Sequence, residues 1–75
     1  MEVLRGYQVT EEIHTIGKAI KALRKEAKWT QTDVAEKSGI SRTHIAAFEG
    51  GRGNPTLATL QRIFSVFGFS LTVRI

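Results

Sequence analysis

Cysteine is absent from this chain of 75 residues, and proline occurs only once. Without cysteine the chain has neither disulfides nor thiolate metal ligands, and small extracellular domains usually depend on such cross-links. No apolar run approaches the ~20 residues of a membrane span, and the N-terminus has no apolar segment typical of a secretion signal. We therefore expect a cytoplasmic protein that makes no membrane contact.

The chain also lacks the length and the residue groupings of an enzyme. It forms one small domain, which cannot enclose a catalytic cleft of ordinary size. Its two histidines, His14 and His44, have no serine and acid partner in motif spacing, and its seven acids include no pair with catalytic geometry that sequence supports. We predict no catalytic activity, no metal site and no cofactor.

Acidic residues are in the minority: seven Asp and Glu against eleven Lys and Arg leave a net charge of +4. The basic residues are densest between residues 18 and 28, at Lys18, Lys21, Arg24, Lys25 and Lys28. This charge is typical of a solvated face that keeps a protein soluble, and equally of a surface that binds polyanions. The helices predicted next favour the second interpretation.

The segment of residues 29–51, WTQTDVAEKSGISRTHIAAFEGG, predicts two short helices joined by a tight turn. Thr30 is placed to cap the first helix, and Asp33, three residues later, can complete a capping box. Gly39 follows that helix at a position where a positive φ angle costs glycine little.

The second helix of this segment is predicted from residue 42 to about residue 49. Ser41 caps it, Ile45 and Phe48 point inward, and glycines at 50 and 51 end it. Two capped helices of about eight residues around a short turn form a helix-turn-helix, a motif that places its second helix in the major groove of DNA.

Two longer segments also carry the helical period. The first runs from about residue 10 to residue 28, and its apolar positions are Ile13, Ile16, Ile20, Leu23 and Ala27. The last runs from residue 57 to about residue 67 after a Thr56 cap, and its apolar positions are Leu57, Leu60, Ile63, Phe64 and Phe67. Trp29 is expected to fill the hinge between the first two helices. We predict a mainly α domain of four to five helices over residues 10–68.

The last seven residues, 69–75, change from the helical period to the alternation of a β-strand. The apolar positions are Phe69, Leu71, Val73 and Ile75. A single strand on a helical domain leaves a free edge, which a two-fold dimer satisfies by antiparallel pairing. The N-terminal arm, residues 1–9, is the alternative partner for this strand.

The run from Leu23 to Gly68 resembles the helix-turn-helix of the Xre/Cro/C1 repressor family, which implies a lambda-repressor-like fold. The matching positions are Arg24, Thr30-Gln31, Val34-Ala35, Gly39-Ile40-Ser41, Ile45, Phe48-Glu49, Pro55-Thr56-Leu57 and Leu60. Within the family, residues 69–75 resemble the strand of HipB-type antitoxins, which pairs across the dimer.

This resemblance implies a set of DNA-contacting residues: Gln31, Lys37, Ser41, Arg42, Thr43, His44, Ala47 and Arg52. Arg42, Thr43 and Ala47 would face base edges, with Arg42 forming a bidentate contact to guanine and the other two meeting a thymine methyl group. The resemblance also implies an ion pair between Arg24 and Glu49, which makes Arg24 a structural residue rather than a base reader.

The remaining members of the set are expected to contact mainly the DNA backbone. Gln31 opens the first helix of the motif, where its side chain and amide suit a phosphate. Ser41 can add a phosphate contact to its capping role, and His44 can contact phosphate or base. Lys37 and Arg52 would neutralise phosphates at the flanks.

The leading functional hypothesis is a dimeric repressor that binds a palindromic DNA operator. Within this class we favour an antitoxin that represses its own operon and binds a HipA-like serine/threonine kinase toxin, as the resemblance of residues 69–75 implies. A phage-type or restriction-controller regulator without a toxin is the alternative. A protein-interaction module that has lost DNA binding also stays open, because Ala46 and Ala47 make the second helix of the motif small and only modestly polar.

Overall fold

The computed structural model describes the backbone of residues 13–70 and the side chains of residues 14–70. Within this range the chain forms four helices: α1 (Ile13–Glu26), α2 (Gln31–Ser38), α3 (Arg42–Glu49) and α4 (Leu57–Ser65). They confirm the predicted helical class and the order of its elements. The predicted arm, residues 1–9, lies outside the described residues, and so do Leu71, Val73 and Ile75 of the predicted strand. No helix in the described part is long and apolar enough to cross a membrane.

The capping box predicted for α2 is present. The hydroxyl of Thr30 accepts from the amide of Asp33 at 3.0 Å, and the Asp33 carboxylate accepts from the amide of Thr30 at 2.8 Å. Hydrogen bonds from Thr30 to the Asp33 carboxylate, above all the one from the Thr30 amide, lower the pKa of Asp33. At the other end of α2, Gly39 has a φ of 75° and donates its amide to the carbonyl of Ala35. Both ends of α2 are therefore fixed by local sequence.

The caps of α3 and α4 follow the same logic. The hydroxyl of Ser41 accepts from the amide of His44 at 3.2 Å, and that of Thr56 accepts from the amide of Thr59 at 3.1 Å. Each cap satisfies one of the free amides that a helix leaves at its start. The starts of both helices match the sequence prediction.

Two helix ends differ from the prediction by about two residues. Helix α1 ends at Glu26 instead of Lys28, because Lys28 adopts a left-handed φ of 62° and turns the chain. Helix α4 ends at Ser65 instead of Phe67, because the chain turns ahead of Gly68, which has a φ of 84°. The apolar period continues through both turns, so it overestimates helix length.

The core is formed by one or two large apolar side chains from each helix. The buried set is Ile20, Val34, Ile45, Phe48, Leu60 and Ile63. Trp29 packs against this core from the hinge, where its ring stacks on Phe67 with a centroid separation of 5.4 Å. The hinge-filling role predicted for Trp29 is thus confirmed.

Helix α1 crosses α3 at a glycine. A Cβ added to Gly17 would collide with the carbonyl oxygen of Phe48, and it would lie 3.3 Å from the Cα of Glu49. The two helix backbones therefore approach more closely than any side chain at position 17 permits. The approach brings α1 against the end of α3 that carries Glu49.

We expect Gly17→Ala to lower the free energy of unfolding by about 1–3 kcal/mol, because the methyl group forces the two backbones apart. At an open helical site the same change would stabilise the helix by about 1 kcal/mol, so the sign of the effect is informative. Chemical denaturation measures it. Gly50→Ala is the matched control, because Gly50 has a negative φ and a Cβ there meets the flexible Arg52 side chain at 3.3 Å and the carbonyl oxygens of Ala46 and Ala47 at an ordinary contact distance of 3.5 Å. An unfolding free energy for Gly17→Ala equal to that of the unmodified chain would contradict the close crossing.

Candidate nucleic-acid interface

Helix α3 buries one face and exposes the other. Ile45 and Phe48 are buried, whereas Arg42, Thr43 and His44 are all exposed in its first turn. Ala46 and Ala47 are half-buried, so the far end of the outward face is narrow and apolar. The helix thus presents its polar groups at its N-terminal end.

A bidentate ion pair joins α1 to the C-terminal end of α3. Nε of Arg24 donates to one carboxylate oxygen of Glu49 at 2.7 Å, and Nη2 donates to the other at 3.0 Å. The remaining terminal nitrogen, Nη1, donates to the carbonyl of Trp29 at 2.9 Å. The side chains are only 12% and 4% exposed, respectively. Arg24 therefore connects α1, the hinge and α3, and its pairing with Glu49 is the one that the family resemblance implies.

This pair is continued by two further side chains toward the outward face of α3. The amide nitrogen of Gln31 donates to Glu49 at 3.2 Å, and the amide oxygen of Gln31 accepts a long bond of 3.4 Å from Arg42. A polar chain thus runs from Arg24 through Glu49 and Gln31 to the exposed guanidinium of Arg42. Gln31, assigned from sequence to a phosphate, is placed between the ion pair and Arg42.

The electrostatics of the chain follow from this geometry. Hydrogen bonding to Glu49 raises the pKa of Arg24 against the opposing effect of desolvation. The positive charge of Arg24 is therefore fully committed within the fold. The charge available on the outward face of α3 is that of Arg42, at the start of the helix.

We expect Arg24→Met to destabilise the domain by about 3 kcal/mol, because the Glu49 carboxylate then stays shielded from water without its cation. The double variant Arg24→Met, Glu49→Gln removes that charge and keeps an acceptor for Gln31, so it should recover part of the loss. Thermal and urea unfolding of both variants measure the difference. A double variant no more stable than the single one would show that the pair is not coupled.

A groove of about 440 Å³ opens beside the start of α3. Five residues that line it carry side-chain polar groups: Ser41, His44, Asn54, Thr56 and Thr59. The imidazole Nδ1 of His44 lies 2.8 Å from the hydroxyl of Ser41, and its ring stacks on Phe48 with centroids 6.1 Å apart. His44 is therefore held along the groove and cannot extend from α3 as freely as Arg42.

The other two predicted cations lie outside α3. The ammonium of Lys37 sits 4.8 Å from the centroid of the Trp29 ring, as a cation–π contact. Arg52 is exposed in the loop that follows α3, and its amide donates to the carbonyl of Ala47 at 2.8 Å. The assignment of Lys37 and Arg52 to phosphates remains a prediction.

Several residues near the site were not predicted from the sequence. His14 is exposed, and its ring rests on Gly51, where an added Cβ would lie 2.5 Å from Nδ1. The guanidinium of Arg62 lies against Gly39 in the turn between α2 and α3. Asn54 and Thr59 line the groove. None of these contacts carries a local signal, since each joins residues far apart in the chain.

No group of three or more His, Asp or Glu side chains is placed to hold an ion between residues 14 and 70. Gln31 and Ser41 lie at the starts of α2 and α3, where free amides suit anions, and the guanidinium of Arg42 suits base edges.

Two capped helices at a glycine turn, with an exposed arginine at the start of the second, define a helix-turn-helix domain of the type found in transcription regulators. The sequence model of the helix-turn-helix family HTH_3 matches residues 20–73, and the chain belongs to this Xre-type family.

Curated relatives extend the comparison. The chain is 43% identical over 58 residues to the immunity repressor protein of Bacillus phage phi105, a match covering 77% of this chain and 40% of that protein. It is 34% identical over 58 residues to antitoxin HipB of Escherichia coli K12, covering 77% of this chain and 66% of HipB. It is 32% identical over 56 residues to the transcriptional regulator PuuR of the same strain, covering 75% of this chain and 30% of PuuR. The chain thus matches less than two thirds of each of these relatives.

Proposed function

We propose that the chain is a dimeric, sequence-specific repressor that reads a palindromic operator with α3. The observation that carries this proposal is the polar chain that ends at Arg42. A side chain tied back through Gln31 and Glu49 to α1 is pre-organised for a base contact, and pre-organisation lowers the entropic cost of binding. The similarity to a phage repressor supports the same class of function.

The proposed contacts divide into base reading and positioning. Arg42 binds O6 and N7 of a guanine through its two-pronged guanidinium, while Thr43 and Ala47 contact thymine methyl groups. Because Ala46 and Ala47 offer no polar group, each subunit makes few direct base contacts. Part of the sequence preference therefore comes from DNA shape and from the spacing of the half-sites.

Positioning contacts surround this small reading face. Gln31 and Ser41 lie at the starts of α2 and α3, where helix N-termini favour a phosphate. His44 lines the groove described above, which takes a stretch of sugar–phosphate backbone beside Ser41. Lys37 and Arg52 add charge toward the flanks and make affinity depend on salt.

We expect Arg42→Lys to weaken binding to the preferred operator by about 1–3 kcal/mol, because lysine keeps the charge but cannot form the bidentate contact. Binding to unrelated duplexes should change little. Fluorescence anisotropy with a duplex selected by the unmodified chain from a random library, and with a scrambled duplex, measures both. An equal loss of affinity for the two duplexes would show that Arg42 does not read bases. Failure of the unmodified chain to bind any duplex in a salt-sensitive way would leave, as the remaining hypothesis, a protein-interaction module that has lost DNA binding.

The dimer is proposed to form through residues 69–75. Phe69, the first residue of this segment, is half-exposed, and it lines an open groove of about 270 Å³ together with Leu23 and Phe64. This apolar surface adjoins the alternating sequence that predicts an edge strand. A second copy covers both, and two-fold symmetry places the recognition helices about 34 Å apart, one turn of DNA.

We expect deletion of residues 69–75 to abolish operator binding although it removes none of the proposed DNA contacts. The shortened chain should sediment as a monomer and keep its helical circular dichroism, since the residues that pack in and against the core, through Phe67, are retained. A matched control, Ser70→Thr, keeps a hydroxyl side chain at this polar position, leaves the apolar alternation intact and should remain dimeric. A truncated chain that stays dimeric, or a monomer that binds the operator with undiminished affinity, would show that these residues do not hold the dimer.

A second candidate function is that of an antitoxin. It is favoured by the similarity to HipB and by the alternating residues 69–75, which resemble the HipB-type strand. In this case the repressor also binds a HipA-like serine/threonine kinase toxin. The neighbouring gene distinguishes the candidates: an adjacent kinase gene whose product co-purifies with this chain supports the antitoxin, and a phage-borne gene without one supports the plain repressor.

A further inference from the structure

Helix α1 carries a row of cations along one face. Lys18, Lys21 and Lys25 are spaced by three and four residues, so they lie on one stripe of the helix, and all three are exposed. We name these three lysines the basic stripe. His14 precedes it on the same face at a spacing of four, and Lys28 follows in the turn after α1, again exposed.

The charges of the basic stripe reinforce one another. Successive lysines are separated by a rise of about 4.5–6 Å along the helix, which is less than the ~10 Å screening length at 0.1 M salt. Between residues 14 and 70 the only ion pair joins Arg24 to Glu49, so none of the three lysines is neutralised within that range. Glu26 is the acid within α1, and it lies about 100° around the helix from Lys25. Like charges at these spacings destabilise a helix, so the stripe has a cost in the free chain.

The ends of the stripe meet the two regions proposed to bind phosphate. At one end, the ring of His14 rests on Gly51, next to Arg52 in the loop that follows α3. At the other end, Lys28 is followed within three residues by Gln31 at the start of α2. Arg24 of the same helix is bonded to Glu49 of α3, so α1 is fixed relative to the recognition helix. The stripe therefore forms a rigid, positively charged connection between two proposed phosphate contacts.

We infer that the basic stripe binds the backbone of duplex DNA outside the operator bases that α3 reads. This inference rests on the proposed function and adds a second, sequence-independent contact region to it. The ligand groups are backbone phosphates, because three evenly spaced ammonium groups on a helix offer charge without the planar geometry needed to read bases. Continuity with Arg52 and Gln31 favours DNA over an acidic protein as the occupant.

The test compares two lengths of the same duplex. A duplex selected by the unmodified chain from a random library is prepared at its minimal length and with about ten added base pairs, one helical turn, at each end. Affinity for both is measured between 50 and 200 mM salt. The proteins are the unmodified chain, Lys18→Gln/Lys21→Gln/Lys25→Gln, and the charge-preserving Lys18→Arg/Lys21→Arg/Lys25→Arg.

The unmodified chain should bind the long duplex more tightly than the minimal one, with a slope of log affinity against log salt steeper by about 0.9 for each added phosphate contact. The glutamine variant should lose this added slope and about tenfold or more in affinity for the long duplex at 50 mM salt, while its affinity for the minimal duplex stays within about twofold. The arginine variant should behave as the unmodified chain.

Two outcomes overturn the inference. If the glutamine variant binds both duplexes like the unmodified chain, the stripe is a solvated face or a site for an acidic protein. If the glutamine variant loses affinity for both duplexes by the same factor, the lysines contact DNA within the operator and not beside it. Failure of the proposed function is recognised separately, because the unmodified chain would then show no salt-sensitive binding to either duplex. Thermal unfolding of each variant verifies that the fold is retained.

Discussion

The bidentate contact between Arg24 and Glu49 is the constraint on which the geometry of the recognition helix depends. It joins α1 to the last turn of α3 and, through the Trp29 carbonyl, also fixes the hinge before α2. A helix of eight residues has little intrinsic stability, so α3 holds its position through contacts with its neighbours. The ion pair fixes the orientation of α3 at its C-terminal end, and the buried side chains of Ile45 and Phe48 supply the apolar area through which α3 packs on the core.

The same contact decides which charges can serve an external partner. Arg24 is committed inside the fold, and Gln31 is shared between Glu49 and Arg42, so the outward guanidinium that remains is that of Arg42, at the start of α3. The lysines of α1 take no part in this network within the described residues. The domain thus separates its cations into one that holds the fold, one presented at the start of α3, and a set left to solvent or phosphate.

The local structure could be predicted from the sequence, and the contacts between distant residues mostly could not. The starts of α2, α3 and α4 are predicted by their capping residues, Thr30, Ser41 and Thr56, because capping depends on residues within three positions. The apolar pattern predicts the ends of α1 and α4 about two residues too late. Apolar side chains continue into the turns that contain the positive φ angles of Lys28 and Gly68. The close approach at Gly17 and the contact of His14 with Gly51 depend on how helices cross, which no local pattern records. Arg24 with Glu49 was foreseen only through the family resemblance.

The stacking of Trp29 on Phe67 has a consequence for how such a domain can change its target. Trp29 immediately precedes the cap of α2, and Phe67 lies two residues before Phe69, where the proposed dimer segment begins. This aromatic pair therefore fixes the point where the C-terminal segment leaves the domain relative to the point where the helix-turn-helix begins. In a dimer held by that segment, the separation of the two half-sites is determined over a handful of residues. A small change near Gly68 could then select a different operator spacing while the residues that read the bases stay unaltered.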